Sequence, residues 1–484
     1  MDNINSGNYQ DPSAAKLNMP QAVLSLAKSL ENDWRMLCHR FLPIEVKDSI
    51  WRYSRHFNAS DPEQGWKLHV SATILTANKV LETIAPLLTK QGTLFKAPDS
   101  LQELQKINSG LYYGYEQIGK FITVYPQTDE EAVGLAGQLD LLVGKMPAPV
   151  VSFDFKFKPG SCIYYRYGAF KPLTVINSAG TTTLAIRDQS GNLIPDLRCS
   201  AALAPEWLKN PFPQTERKQE APENLLKTTI RVFRALEQRG KGGVYQAVDF
   251  SVAPPRLCVL KEGRLNGEVE WNGRDGFWRV RHEKCVLEFL QSAEIPVPRV
   301  YNSFEAEGRY YFVTEFIEGE NLHAHLRKRK RRISIFRAID YGIQLAALLA
   351  QIHRSGWAWR DCKPGNIILT KEKKLRPLDF EGACAITQPD PSPWGTAPFI
   401  SPGSQNRQYW GKSKLPDDLF AMGMILYLLF EGRLPDLSGS SVKMQRRRIP
   451  LEIRQIISKL LDVDPLKRPD AQIVVQTLLA VGRI

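Results

Sequence analysis

The sequence predicts an α+β protein of two domains, and three observations support this prediction. The chain has 484 residues, 43% apolar and 24% charged, which are ordinary values for a globular protein. The segment 211–224 is Pro-rich, charged and poor in apolar residues, as is typical of a linker. Strand-like and helical apolar patterns occur on both sides of it. We therefore expect a flexible terminus at 1–20, a first domain at 21–212, a linker at 213–226 and a second domain at 227–484.

The composition excludes several classes of protein. No stretch approaches the roughly 20 apolar residues that are needed to cross a bilayer, and the start of the chain lacks the pattern of a signal peptide. The seven cysteines are scattered without a C-x-x-C pair. This argues against a disulfide framework and against a zinc site built from cysteines. We expect a reduced, cytoplasmic protein with no membrane partner.

The net charge of +13 lies almost entirely in the second half. Residues 1–212 contain 21 Lys and Arg against 20 Asp and Glu, so they carry +1 and the remainder carries +12. A basic half suits an anionic partner such as phosphate, an acidic peptide or nucleic acid. A solvated basic surface explains the charge equally well. For the basic run at 327–332, a solvated helix end is the favoured interpretation.

Apolar spacing predicts the main elements in chain order. Helical spacing occurs at 24–42 and 75–88, and strands are predicted at 66–71, 120–125 and 163–167. After the linker, strand-like runs continue to about Phe316. Longer helical patterns then dominate, for example from Ala338 to His353.

The second half contains a pattern of residues that suits phosphoryl transfer. In the segment 360–366, Asp361 can accept a hydroxyl proton, Lys363 can balance phosphate charge and Asn366 can hold a metal ion. Thirteen residues after Asn366 lies Asp379, in Leu-Asp-Phe-Glu-Gly, which is expected to hold Mg²⁺ between the phosphates.

Further candidates for nucleotide binding lie upstream. Lys261 is predicted to end a strand that contains Cys258–Lys261, and Glu283 comes 22 residues later on a predicted helix. An ion pair between them would aim the lysine at the α- and β-phosphates. The turn at 239–245 is expected to cover the nucleotide with its backbone amides. The predicted nucleotide-binding residues are Gly240, Gly242, Gly243, Lys261, Glu283 and Glu315.

In this order and spacing, the second half resembles the protein kinase superfamily over about residues 228–480. The resemblance includes the helix that begins near Asp418 and an arginine at 468. It departs where Glu237 and Arg239 replace the first two loop glycines, where Trp359 replaces a common His, and where Glu381 replaces the Gly of D-F-G. Ser-Pro-Gly at 401–403 replaces A-P-E. These departures put ordinary activation-loop regulation and generic substrate docking in doubt, but an active kinase is favoured over a pseudokinase.

The first half contains a His among several cations. Lys67 and His69 share one face of a predicted strand, and Lys96, Lys120 and Arg166 lie on later segments. Without paired carboxylates, this set suits elimination of phosphate: a base removes the α-proton, cations hold the phosphate and an acid protonates the leaving oxygen. From spacing alone, surface lysines and a packed His are the favoured interpretation.

A second resemblance reverses that preference. From about Phe41 to Pro213 the sequence resembles the N-terminal lyase domain of class III and class IV lanthipeptide synthetases, which is similar to bacterial phosphothreonine lyases. The segments that carry it are GWKLHVSA (65–72), LFKA (94–97), GKFITVYP (119–126), PGSCIYYRYGAF (159–170) and PEWLKNPF (205–212).

The resemblance implies a role for each of these residues. Lys96 would be the general base and His69 the general acid. Lys67 would act beside them and bind phosphate together with Lys120 and Arg166, with Tyr165 or Tyr167 nearby; Tyr165 is the tyrosine assigned to phosphate binding.

Together the two resemblances imply a bifunctional peptide dehydratase of lanthipeptide-type biosynthesis. It would use ATP or GTP with Mg²⁺ and act on a ribosomal precursor peptide with a leader sequence, with nucleic acid not expected as a partner. The family's cyclase domain should follow the kinase, but the chain ends at Ile484. Ring closure is therefore expected in a separate cyclase, without an enzyme, or not at all. Two alternatives stay open: a Ser/Thr kinase with a non-catalytic binding domain, and a pseudokinase scaffold for a precursor peptide.

Overall fold

The structure is a computed structural model of the chain. It describes residues 19–176, 180–196, 205–213, 228–328, 332–390, 394–402, 415–437, 442 and 444–482. The expected flexible terminus lies outside the described residues up to residue 18, and the expected linker lies outside them from residue 214.

The N-terminal half is built on a seven-stranded antiparallel sheet. The elements of this half, in chain order, are α1 (Met19–Phe41), β1 (Ile44–Glu45), β2 (Trp51–Tyr53), β3 (Gln64–Val70), α2 (Ala77–Lys90), β4 (Leu94–Pro98), α3 (Leu101–Ser109), a 3₁₀ turn (Tyr115–Gln117), β5 (Ile122–Tyr125), α4 (Asp129–Val143), β6 (Phe155–Lys156) and β7 (Ile163–Ala169). The strands lie in the order β1-β2-β4-β5-β3-β7-β6. A smaller sheet follows, of order β10-β9-β8, from β8 (Thr174–Ile176), β9 (Thr182–Arg187) and β10 (Leu193–Pro195).

The alternation of side chains gives the large sheet two different faces. On β3, Trp66, Leu68 and Val70 pack with residues of α1 to α4 in one apolar core. Lys67 and His69 point to the opposite face, because successive strand residues alternate. The helices therefore cover one face of the sheet, and the polar face carries the candidate lyase residues.

The C-terminal half has two lobes. The first is a five-stranded antiparallel sheet of order β11-β12-β13-β15-β14, with one helix packed on it. Its elements are β11 (Ile230–Arg239), β12 (Gly242–Asp249), β13 (Arg256–Arg264), α5 (Gly276–Ser292), β14 (Val300–Ala306) and β15 (Arg309–Glu315). The strand that carries Lys261 does not end there, as the sequence suggested, but continues to Arg264.

The second lobe is mainly helical. Its elements are β16 (Glu320–Asn321), α6 (Leu322–Arg327), α7 (Ile335–Arg354), β17 (Trp357–Ala358), a 3₁₀ turn (Pro364–Asn366), β18 (Ile367–Leu369), β19 (Leu375–Pro377), β20 (Cys384–Ala385), α8 (Leu415–Glu431), α9 (Leu451–Leu460), a 3₁₀ turn (Pro465–Lys467) and α10 (Ala471–Gly482). Almost all of α8 is buried, and α7, α9 and α10 surround it in a core that also reaches α5.

Helix α7 is long and apolar enough to cross a membrane by length and composition. However, 56% of its most apolar window is buried inside the protein, where it packs against α8 and α10. It is the core helix of the second lobe. The expected two-domain α+β architecture is confirmed.

The two halves touch at the turn between β11 and β12. The backbone N–H of Gly240 donates to the carbonyl oxygen of Ser109 at 3.0 Å, and Arg264 Nη1 donates to Tyr115 Oη at 2.8 Å. Trp271 packs against the core of the N-terminal half. The end of α3 and the turn that follows it therefore lie against the sheet that carries Lys261.

Candidate active sites

A buried ion pair links the sheet of the C-terminal half to its helix. Lys261 Nζ on β13 lies 2.6 Å from both carboxylate oxygens of Glu283 on α5. Glu283 also accepts the backbone N–H of Phe380 at 3.0 Å. Burial works against the charge on Lys261, but Glu283 and Asp379 hold its pKa above the ordinary value. The lysine is therefore a fixed cation, as the alignment of nucleotide phosphates requires.

The carboxylate of Asp361 is oriented by three side chains. Lys363 Nζ donates to Oδ2 at 2.7 Å and Asn366 Nδ2 donates to the same atom at 2.9 Å. Thr396 Oγ1 donates to Oδ1 at 3.0 Å and accepts from Lys363 at 2.7 Å. Such a fixed carboxylate is suited to accept a hydroxyl proton. Sequence analysis placed Lys363 and Asn366 here but missed Thr396, which follows Asp361 by 35 residues.

The backbone that presents Asp361 is held by a buried carboxylate on α8. Asp418 accepts the N–H of Trp359 at 2.7 Å and that of Arg360 at 2.6 Å. Arg360 has φ 71°, a left-handed conformation that is uncommon for a residue with a side chain. The two hydrogen bonds stabilise this turn, so α8 anchors the loop as the kinase resemblance implied.

Asp379 lies opposite this loop and is also held in a left-handed conformation, with φ 62°. Trp359 donates its indole N–H to the carbonyl oxygen of Asp379 at 2.8 Å and stacks on Phe380 with ring centroids 5.3 Å apart. Burial alone would raise the pKa of the Asp379 carboxyl, but Lys261 and Lys241 outweigh it and lower the pKa. The carboxylate is therefore charged, as a metal ligand must be.

The donors near Asp379 fit Mg²⁺ in the company of phosphate. The amide nitrogen of Asn366 is engaged with Asp361, which leaves the amide oxygen as its ligand atom. No group of three or more His, Cys, Asp or Glu side chains placed to hold a metal ion occurs among the residues that the structure describes. Mg²⁺ usually takes one or two protein carboxylates and completes its shell with water and substrate phosphates, so Asn366 and Asp379 are candidates to hold it.

One cavity contains Lys261, Glu283 and Asp379, and we call it the nucleotide cavity; Asp361, Lys363 and Asn366 are not among its lining residues. It contains an ion pair between Lys241 and Glu381. Burial lowers the pKa of Lys241, but the attraction of Glu381 and Asp379 outweighs burial and holds the pKa above its ordinary value. This lysine is therefore a second fixed cation beside Lys261. Sequence analysis gave no role to Lys241. The lining residues are Glu237, Arg239, Lys241, Gly242, Gly243, Val244, Lys261, Glu262, Val280, Glu283, Asp379 and Glu381.

Two residues that were predicted to bind nucleotide do not line this cavity. Gly240 lies against the N-terminal half, where an added Cβ would come 1.7 Å from the carbonyl oxygen of Asn108. Glu315 is at the end of β15, and its carboxylate accepts from Arg376 Nη2 at 2.9 Å. The glycine is required by the close approach of the two halves, and the glutamate holds β15 beside β19.

In the N-terminal half, the polar face of the sheet brings the predicted cations together. Lys67 lies directly opposite Arg166, and His69 lies opposite Thr123, which in turn is paired with Lys96. Residues that face each other in an antiparallel pair project from the same side of the sheet. The cationic cavity that results is lined by Lys67, His69, Lys96, Gln117, Lys120, Thr123, Tyr125 and Arg166.

A buried aspartate that sequence analysis missed organises this cavity. Asp154, 1% exposed, contacts His69 Nδ1 with its Oδ2 atom. Its Oδ1 atom lies 3.2 Å from Lys120 Nζ and 4.0 Å from Arg166 Nε. Burial would raise the pKa of Asp154, but Lys120, His69 and Arg166 lower it. The aspartate is therefore charged, and it fixes His69 with Nε2 as the ring nitrogen for a substrate.

The protonation of His69 depends on what enters the cavity. Burial lowers its pKa to about 3, with Lys120 and Lys67 adding to the shift and Asp154 opposing it. A phosphate group brings a charge of about −1.5 to −2 at neutral pH. An anion beside the imidazole favours its protonated form. Bound phosphate would therefore raise the pKa of His69 and offset the lowering that Lys120 and Lys67 cause.

The other cations of the cavity are held by neighbouring groups. Arg166 Nη2 lies 2.5 Å from Asp196 Oδ1, just after β10. Lys67 Nζ donates to the carbonyl oxygen of Ala169 at 2.8 Å. Lys96 Nζ lies 4.3 Å from the centroid of the Trp51 ring. These contacts fix the direction of each cation before a substrate arrives.

The structure does not support phosphate binding by Tyr165 or Tyr167. Tyr165 is on the opposite face of β7 from Arg166 and stacks on Phe212 with ring centroids 3.8 Å apart. Tyr167 contacts Trp66 on that same face. The alternation of β7 turns both rings into the apolar core, and the tyrosine of β7 that lies on the polar face is Tyr164, opposite His69.

Comparison with known proteins matches both halves. Residues 44–224 match the family "RamC, N-terminal domain", and residues 240–479 match the family "Protein kinase domain". The chain is 28% identical to a probable SapB synthase from Streptomyces coelicolor over 364 residues, which cover 73% of this chain and 39% of that protein. These matches confirm the resemblances drawn from the sequence.

Further relatives match the C-terminal half. A RAC family serine/threonine-protein kinase homolog from Dictyostelium discoideum is 30% identical over 264 residues, which cover 51% of this chain and 57% of that protein. Serine/threonine-protein kinase PknA from Nostoc is 29% identical over 222 residues, 44% of this chain and 39% of the relative. The chain thus spans between 39% and 57% of the length of these curated relatives.

Proposed function

The chain consists of a RamC N-terminal domain followed by a protein kinase domain, and from this premise we propose that it is a bifunctional peptide dehydratase. The kinase domain phosphorylates Ser or Thr in a ribosomal precursor peptide. The N-terminal domain then eliminates the phosphate and leaves dehydroalanine or dehydrobutyrine. The observation that carries this proposal is the cationic cavity, which combines a fixed His with three lysines and an arginine on the same chain as the nucleotide cavity.

The first step transfers a phosphoryl group from ATP or GTP. The hydroxyl oxygen of the peptide attacks the γ-phosphorus, and Asp361 accepts the proton of that hydroxyl. The bond between the γ-phosphorus and the oxygen of the β-phosphate breaks. Lys363 Nζ lies 2.7 Å from Asp361 Oδ2, beside the carboxylate that accepts the proton. Lys261 and Lys241 hold the nucleotide phosphates. Asn366 and Asp379 would hold Mg²⁺, which supplies neutralisation of the phosphate charge.

The second step eliminates the phosphate that the first step added. Lys96 removes the α-proton of the phosphorylated residue, its electron pair forms the Cα–Cβ double bond, and the bond from Cβ to the phosphate oxygen breaks. Protonated His69 donates from Nε2 to the leaving oxygen. Lys67, Lys120 and Arg166 hold the departing phosphate and stabilise its negative charge. Phosphate is therefore a better leaving group than the hydroxide of the unmodified residue.

Two properties of the chain support this pairing of activities. Both sites belong to one molecule, so a phosphopeptide released by the kinase domain is at high local concentration for the second site. The basic charge of the second half suits an acidic segment of a leader sequence. We place the reaction in the cytoplasm, where nucleotides and newly made peptides are present.

The experiment that tests the proposal omits the nucleotide. A short phosphothreonine or phosphoserine peptide is incubated with the purified protein, and its intact mass is measured. We expect loss of phosphoric acid, about 98 Da. An unchanged mass with phosphopeptides of several sequences, including peptides that the protein itself has phosphorylated, would contradict elimination and leave a Ser/Thr kinase with a binding domain.

A further inference from the structure

Asp390 joins the two lobes of the kinase domain through two arginines. Its Oδ2 atom forms an ion pair with Arg274 Nη1 and lies 3.4 Å from Arg360 Nη1. Arg274 directly precedes Asp275, the N-cap of α5, and Arg360 directly precedes Asp361. One carboxylate therefore connects the start of the helix that carries Glu283 with the loop that carries the catalytic aspartate.

This connection is partly buried and belongs to a larger set of contacts. The side chain of Arg360 is 3% exposed, that of Asp390 is 12% exposed and that of Arg274 is 28% exposed. Arg360 also donates to the carbonyl oxygen of Gly382 at 3.1 Å, and His282 on α5 contacts the carbonyl oxygen of Ala383 at 2.7 Å. The segment from Asp379 to Asp390 is thus attached both to α5 and to the catalytic loop.

In protein kinases, a negative charge that pairs with arginines near the catalytic loop can control activity. In many kinases, phosphorylation orders the activation loop by creating new pairs between arginines and a phosphorylated side chain. That ordering controls whether the Lys–Glu ion pair and the metal-binding aspartate are in place. In this chain Lys261 and Glu283 form their ion pair at 2.6 Å. The group that pairs with the two arginines is the unmodified carboxylate of Asp390.

We propose that Asp390 takes the place of an activating phosphate. It is a positioning residue: it pairs with Arg274 and Arg360 and so holds α5 and the catalytic loop in the arrangement that transfers phosphate. The kinase domain consequently needs no prior phosphorylation. This inference rests on the proposed kinase activity, and it extends that proposal to the way in which the activity is controlled.

The first test compares the full chain before and after treatment with a protein phosphatase, with intact-mass measurement to confirm that no phosphate remains. The readout is Mg²⁺-dependent hydrolysis of ATP. We expect the fully dephosphorylated protein to keep its rate within about twofold. A rate that disappears on dephosphorylation and returns on rephosphorylation would overturn the proposal.

The second test changes the carboxylate itself. We expect Asp390→Ala to lower kcat about tenfold or more with a small change in KM for ATP, because the nucleotide contacts remain. Asp390→Glu should retain most of kcat. Arg274→Ala should lower kcat in the same direction but less than Asp390→Ala, because it leaves the contact with Arg360, and the double variant should lose little more than Asp390→Ala alone. Equal kcat in Asp390→Ala and the unchanged protein would contradict the inference.

A matched control lies on the same helix. Glu288 pairs with Lys284 at 2.9 Å on the exposed side of α5, and Glu288→Ala should leave kcat unchanged. Hydrogen exchange provides a readout that does not require catalysis: Asp390→Ala should speed exchange at the start of α5, and Glu288→Ala should not. If no variant hydrolyses ATP, the kinase proposal fails, while the exchange comparison still decides whether Asp390 holds α5.

Discussion

The carboxylate of Asp154 contacts Nδ1 of His69 although 85 residues separate the two in sequence. The contact crosses from the segment before β6 to β3 and lies in the polar layer of the N-terminal sheet. It gives the imidazole a fixed orientation and opposes the effect of burial on its pKa. The consequences of this pair are measurable in the pH dependence of elimination.

We expect Asp154→Asn to shift the alkaline limb of the elimination profile to lower pH. The Asp154 carboxylate raises the pKa of His69, so its removal leaves less of the general acid protonated at a given pH. Bound phosphate favours protonated His69, so the loss should be measured in kcat, which reports the complex with substrate, and it should be larger at about pH 8 than at about pH 6. The measurement is kcat for a saturating phosphothreonine peptide across this range.

A control for this variant is Asp140→Asn. The carboxylate of Asp140 pairs with exposed Lys158 at 3.0 Å, so its profile should match that of the unchanged protein. Thermal unfolding of both variants shows whether either has lost its fold. If Asp154→Asn reduces kcat by the same factor at every pH, the aspartate does not act through the protonation of His69 in the complex with substrate.

Replacement of the proposed base should separate the two reactions. We expect Lys96→Ala to lower elimination by about 10²- to 10⁴-fold, while phosphorylation by the kinase domain continues, so that phosphopeptide accumulates. Mass spectrometry of the peptide over time measures both products. Lys79, whose side chain is 69% exposed and pairs with Glu82, offers the control Lys79→Ala. Unchanged dehydration in Lys96→Ala would remove Lys96 as the base.

Local patterns in the sequence predicted much of both sites. The spacing of two residues placed Lys67 and His69 on one face of β3, because a strand alternates strictly. The motif at 360–366 placed Lys363 and Asn366 beside Asp361, since neighbours in a tight loop are also neighbours in space. The apolar pattern at 75–88 predicted helix α2 at Ala77–Lys90.

The missing parts depend on long-range contacts. Asp154 stands alone between aromatic residues and reaches His69 only through the pairing of β6 and β7 with β3, which no local motif reveals. Tyr165 was assigned to phosphate binding, but the register of β7 against β3, where Lys67 pairs with Arg166, turns Tyr165 to the other face of the sheet. A shift of one residue turns a side chain to the other face.

We expect removal of the Asp379 carboxylate, which we propose as a metal ligand, to affect phosphorylation alone. Asp379→Ala should abolish transfer from ATP, because Asn366 cannot hold Mg²⁺ by itself. Elimination from a synthetic phosphothreonine peptide should continue at the rate of the unchanged protein. Mass spectrometry of the two reactions provides the measurement. If elimination were also lost in a folded variant, the two sites would not act separately.

The last prediction concerns the contact between the two halves. We expect Gly240→Ala to destabilise the protein by about 1–3 kcal/mol, because the new Cβ would meet the carbonyl oxygen of Asn108 and disturb the hydrogen bond from Gly240 to Ser109. Since this turn leads directly to Gly242 in the nucleotide cavity, KM for ATP should also rise. Thermal unfolding and ATP titration measure the two effects.

The control for this substitution is Gly134→Ala in helix α4, where an added Cβ meets nothing within 4 Å. Alanine is the better helix former by about 0.5–1 kcal/mol, so this variant should be equally or slightly more stable and should bind ATP unchanged. A Gly240→Ala protein with the stability and KM of the Gly134→Ala protein would show that the two halves separate freely in solution. The close approach of Gly240 and Asn108 would then have no part in holding the nucleotide turn.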